Sequence, residues 1–86
     1  MQNKVHNPTF PQYRKYPNGR SYFKIISLTE FEEIQEARGK YVKYHFIAKI
    51  LPDHNYINDL VFNYHDHWQM IEKEEYEGKR EMCEKN

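Results

Sequence analysis

YRKYPNGRSYFKI, residues 13–25, decides the fold, because it reads as two strands and the turn that joins them. Pro17 supplies the φ of roughly −65° that a type I turn wants at its first corner. Asn18 follows, and Gly19 stands where the backbone needs φ > 0. The pattern predicts a three-residue hairpin loop with a glycine bulge. It pairs Tyr16 with Arg20, Arg14 with Tyr22 and Tyr13 with Phe23. Tyr13, Phe23 and Ile25 then share a buried face, while Arg14, Tyr16, Arg20, Tyr22 and Lys24 share a solvated one.

Working outward, Ser27-Leu28-Thr29-Glu30 has the spacing of a capping box, Ser with Glu three residues on. Leu28, Phe31 and Ile34 recur every three residues, which predicts a short helix ended by Gly39. From Tyr41 to Leu51 the period changes to two. Val42, Tyr44, Phe46, Ala48 and Ile50 alternate with Tyr41, Lys43, His45, Ile47 and Lys49, the pattern of a strand with one buried face. Pro52-Asp53-His54-Asn55 reads as a turn, with Asp53 or Asn58 as cap of the next helix. Ile57, Leu60, Val61, Tyr64, Trp68 and Ile71 fit one stripe of that helix. Beyond it the chain is mostly charge, and Gly78 is placed to end or break the helix. The order β-β-α-β-α predicts an α+β domain, with a three-stranded, mostly antiparallel sheet and both helices on one face. The expected organisation is an extended N-terminal arm over residues 1–10, one domain over 11–77, and a charged, fraying tail over 78–86.

Eighty-six residues leave room for one hydrophobic core. Leu, Ile, Val and Phe together make eighteen residues, barely above the share of roughly 20 % below which disorder becomes the default. Aromatic residues are 16 % and include eight Tyr, and formal net charge is zero. Each ring buries a large area for few rotatable bonds, so the core is expected to be aromatic. The low aliphatic content points to a partner or a second copy of the chain. A single cysteine, Cys83, excludes an intramolecular disulfide and a Cys-rich zinc site. It fits the cytoplasm, a reducing compartment, and no apolar run reaches the roughly 20 residues of a membrane span.

Charge is unevenly spread. Residues 1–49 hold nine of the thirteen Lys/Arg and four of the thirteen Asp/Glu, and residues 50–86 hold the reverse. Arg14, Tyr16, Arg20, Tyr22, Lys24, Tyr41, Lys43 and His45 therefore form the candidate binding face, a set of cations and stackable rings of the kind that holds single-stranded nucleic acid. Strand amphipathicity is a sufficient explanation of the same pattern, since long side chains cover a sheet while keeping polar tips wet. His54, His65 and His67 suggest metal, but on a helix His65 and His67 point roughly 200° apart. A helical metal pair wants a spacing of four. No metal and no cofactor are expected. No phosphate loop is present and no Ser/His/Asp order is suggestive, so no enzymatic activity is expected.

Residues 13–19 and 22–25, followed by Phe31-Glu32-Glu33-Ile34, resemble small bacterial proteins of unassigned function. The resemblance implies a bacterial origin and carries over no site residue. The function expected from the residues themselves is a non-enzymatic binding module that meets a protein partner or associates with itself. Nucleic-acid binding through the basic, tyrosine-rich face is the alternative, and no membrane is involved.

Overall fold

The first hairpin forms, but one residue out of the expected register. In the computed structural model, which describes residues 8–84, strand β1 (Gln12–Lys15) pairs with β2 (Ser21–Ser27) so that Arg14 lies opposite Phe23 and Lys15 opposite Tyr22. The loop is longer than predicted because Tyr16 closes against Ser21, its N–H donating to the Ser21 carbonyl at 3.0 Å. Asn18 makes the longer loop possible: its Oδ1 accepts from the Arg20 N–H at 2.8 Å. Gly19 has the expected positive φ of 75°. A slip of one residue sends every side chain of one strand to the other face. Phe23 and Ile25 consequently share a face with Arg14 and Tyr16, while Tyr13, Tyr22 and Lys24 point the opposite way.

The predicted first helix is a strand. β3 (Glu30–Ala37) pairs antiparallel with β2, placing Phe31 opposite Ile25 and Glu33 opposite Phe23. Ser27 still accepts from a nearby backbone N–H, that of Thr29 at 3.1 Å. A serine hydroxyl serves a tight turn as readily as a helix end, so the capping-box spacing did not distinguish the two. Gly39, expected to stop a helix, instead turns a hairpin with Arg38, at φ of 79° and 57°. Positive φ at both central residues is what the tightest hairpin requires. β4 (Lys40–Ile47) follows as predicted and pairs with β3.

Helix α1 (Leu51–Phe62) begins earlier than expected, with Pro52 in its first turn, where a missing N–H costs nothing. Asp53 lies inside that first turn rather than capping it. The buried stripe is Ile57, Leu60 and Val61. The helix stops before Tyr64, and a short 3-10 turn (Tyr64–Asp66) leads to Trp68, which is buried but not helical. β5 (Gln69–Met70) then returns to pair with β1. α2 (Lys73–Glu84) runs straight through Gly78, across the boundary placed between residues 77 and 78. Residues 1–7 of the expected arm, and 85–86, lie outside the described residues.

The sheet is therefore five-stranded and antiparallel, in the order β4-β3-β2-β1-β5, rather than three-stranded. The two helices do not share a face. α1 and Trp68 cover one side, packing Ile57, Leu60 and Val61 on Phe23, Ile25 and Phe31. α2 covers the other, packing Tyr76 on Tyr13, Tyr22 and Ile34. A sheet buried on both faces loses the clean alternation that marks a one-sided strand.

Candidate ligand pocket and sheet edge

β4 is the outer strand of the sheet, and among the described residues it is bonded on one side only, to β3. Val42, Tyr44 and Phe46 lie on its α1 side in register with Gln35, Glu33 and Phe31. They were expected to be buried, yet they are 42 %, 43 % and 40 % exposed. The cause is coverage: α1 packs over the β2–β3 part of the sheet and leaves the outermost strand bare. Ile47, Ile50 and Leu51 extend the exposed apolar surface past the end of β4. Lys40 and Lys43 are exposed along the same strand. His45 is engaged, its Nε2 lying 2.6 Å from Glu30 Oε2.

A pocket of about 250 Å3 opens where β4 meets α1. Strand β3 contributes Phe31 and Glu33, and the end of β4 with its continuation contributes Phe46, Ile47 and Ala48. Asp53 and Tyr56 come from α1. Phe31 and Phe46 stack with ring centres 4.9 Å apart, and Tyr56 tilts against Phe31 at 5.7 Å. Asp53 is exposed, and its Oδ2 accepts from the Lys49 N–H at 3.3 Å.

Glu33 is the chemically distinctive group, because β3 delivers its carboxylate to the buried side of the sheet, where it is only 9 % exposed. It accepts from Gln35 Nε2 at 3.1 Å, and the Ser21 hydroxyl also bonds to it. No Lys, Arg or His forms an ion pair with it among the described residues. Burial pushes its pKa above the ordinary carboxylate value, with the bonds from Gln35 and Ser21 pulling the other way. Burial likewise raises the Tyr56 hydroxyl, helped by its hydrogen bond with Tyr16 and by the charge of Glu33.

The eight residues of the expected basic face are not brought together. Arg14 is buried on the α1 side, 3 % exposed, with its guanidinium donating to the carbonyls of Leu60 and Tyr13 and to Gln12 Oε1. Its Cζ lies 4.0 Å from the centre of the Tyr64 ring. Tyr16 is half-buried on the same side against Trp68 and Phe23. Arg20 projects from the first turn, 3.8 Å from Glu36. Tyr22 is buried under α2, and Tyr41 is half-buried there, with Lys79 donating to its hydroxyl. Only Lys24, Lys43 and His45 share a partly open face, and Glu30 and Glu32 lie among them. Among the described residues these eight side chains divide between the two sides of the sheet and the first turn.

His54 lies in α1, while His65 and His67 lie in and after the 3-10 turn. Among the described residues no three His, Cys, Asp or Glu side chains gather as a metal site would need. No described helix is long and apolar enough to cross a membrane. Sequence reasoning missed Glu33 and Tyr56 altogether. Glu33 falls in the stretch whose spacing predicts a helix, and only its place in β3 turns it inward. Compared with known proteins, the chain matches no protein-family model, no curated protein and no solved structure.

Proposed function

We propose that the chain is a non-catalytic binding module that takes an extended, acidic segment of another protein onto the free edge of β4. The observation that carries this reading is the eight-residue outer strand itself, whose Val42, Tyr44 and Phe46 remain about two-fifths exposed. An open edge offers unpaired N–H and C=O groups, and an added strand supplies their partners. Alternate apolar side chains of that strand would continue the stripe on the α1 side. Its intervening acidic side chains would meet Lys43 on the other side. The cytoplasm is the compartment proposed for it, on the strength of the single cysteine.

Charge favours a foreign strand over a second copy. A symmetric antiparallel pairing of β4 centred on Lys43 sets Lys43 against itself. Like charges directly opposite destabilise a ladder, and edge lysines are a common guard against self-pairing.

The test uses a synthetic peptide with Val or Phe alternating with Glu. Saturable binding is expected, with slowed hydrogen exchange at the outward amides of β4, and Lys43→Glu should weaken it. Unchanged exchange along β4 would overturn the reading. A dimer seen by light scattering, with the same amides protected in the absence of peptide, would replace it with self-association.

A further inference from the structure

The pocket between β4 and α1 is lined by two carboxylates and three aromatic rings, and by no basic residue. We propose that it binds an alkylammonium group, with Glu33 as counter-ion at the floor and Phe31, Phe46 and Tyr56 around the chain.

Three observations converge on that ligand. The first is the uncompensated charge. Glu33 is nine-tenths buried and has hydrogen bonds but no cation beside it among the described residues. A buried carboxylate is retained at low cost only when a counter-charge arrives or the group takes up a proton. Burial displaces its pKa upward, as expected for a carboxylate taken out of water. The second is the wall. Aromatic faces attract cations, most strongly where water is excluded, and they also hold the apolar stem that precedes an ammonium. Asp53 adds a second negative charge at the pocket and so favours cation entry. The third is size. A volume of about 250 Å3 corresponds to roughly eight water molecules at about 30 Å3 each, enough for a short chain and its head group.

The geometry also separates ammonium from guanidinium. Glu33 Oε2 already accepts from Gln35. A guanidinium fork wants both oxygens of a carboxylate, whereas an ammonium is a point charge satisfied by one. The ammonium can come from a free amine or from a lysine side chain of a bound protein. The inference does not rest on strand addition at β4: the ammonium is read at Glu33, Ala48 and Tyr56, the strand at the outward amides of β4.

The experiment titrates the full chain with butylammonium, butanol and butylguanidinium, following backbone amide signals by NMR. Saturable shifts at Glu33, Ala48 and Tyr56 are expected for butylammonium, with butanol and butylguanidinium at least tenfold weaker. Glu33→Gln keeps the shape of the side chain and should weaken butylammonium at least tenfold. Asp53→Asn should weaken it severalfold, and more so at low salt. A lysine-containing peptide compared with its norleucine counterpart identifies the source. Binding of the peptide with no binding of butylammonium assigns the site to a partner's lysine, and binding of butylammonium alone assigns it to a free amine. Equal binding of butanol and butylammonium, or no saturable shift from butylammonium and the lysine peptide alike, would overturn the proposal. The butanol comparison keeps it testable if Glu33→Gln fails to fold.

Discussion

The two faces of the sheet are built from different materials. On the α1 side the core is a mesh of rings: Trp68 stacks on Tyr16 at 6.0 Å and meets Phe23 and Tyr56 edge-on at 6.3 and 5.8 Å. On the α2 side three tyrosines, Tyr13, Tyr22 and Tyr76, pack around Ile34. Tyr76 is fully buried against Tyr13, and its hydroxyl donates to Glu32 Oε1 at 3.0 Å. Arg80 approaches the same carboxylate at 4.0 Å, and Lys15 bonds Glu75 at 2.9 Å. Lys79 lies over the rings of Tyr22 and Tyr41. A chain short of aliphatic residues thus makes one core by packing rings among Ile25, Ile57, Leu60 and Val61. It makes a second by letting tyrosine supply area and hydrogen bond together.

Substitutions on each face should separate these two modes. Phe23 is fully buried at the centre of the ring mesh. Phe23→Ala should cost about 3–5 kcal/mol through lost transfer energy and an unfilled cavity. That is most of the stability of a small domain, so the urea transition should collapse or broaden. A loss under about 1 kcal/mol would show that the mesh rearranges to fill the space. Arg14→Lys keeps the charge but not the planar fork that reaches Leu60, Tyr13 and Gln12. It should cost about 1.5–3 kcal/mol in the same measurement. Tyr76→Phe isolates the hydroxyl on the α2 side and should cost only about 1 kcal/mol. A larger loss would mean that the bond to Glu32, not ring area, fastens α2.

The weakest expected effect is a trend with pH. Folded Glu33 holds its proton to a higher pH than the unfolded chain does. Between the two pKa values the native state carries more protons, so stability falls as pH rises through that window. The contribution is fully present below the unfolded pKa and is lost above the folded one. Glu33→Gln should flatten the fall in urea midpoint as pH rises above the ordinary glutamate pKa of about 4.3. A parent and variant with parallel pH profiles would show that Glu33 is paired in solution.

Much of the scaffold was legible in the residues. Gly19 marked the first turn, the alternation of Tyr41 to Leu51 marked β4, and Ile57, Leu60 and Val61 marked the inner side of α1. The misreadings share a cause. Phe31-Glu32-Glu33-Ile34 carries good helix formers and an i, i+3 apolar pair, and burial on both faces of β3 erased the period of two. Tyr76 and Cys83, seven apart among charges, were too sparse to announce α2. Its packing instead uses Tyr76, Cys83 and the neighbouring long side chains Lys79 and Arg80. The expected basic face dissolved through one extra loop residue, which no composition reveals. The pocket followed it out of reach, because the inward turn of Glu33 depends on β3 being a strand.

The strand order also sets an order of assembly. From β1 to β4 each strand pairs with the next in sequence, so four strands can zip as successive hairpins, each closing a short loop. β5 and α2 return to β1 from the far end of the chain, where Lys15 and Glu75 meet across 60 positions. Local pairings form faster than distant ones, since long loops cost more entropy before any contact rewards them. The meander therefore presents β1 as an unfinished edge until β5 arrives, while β4 receives no second neighbour among the described residues. One edge of the sheet is closed late by the chain's own β5, and the other stays available to the strand proposed for it.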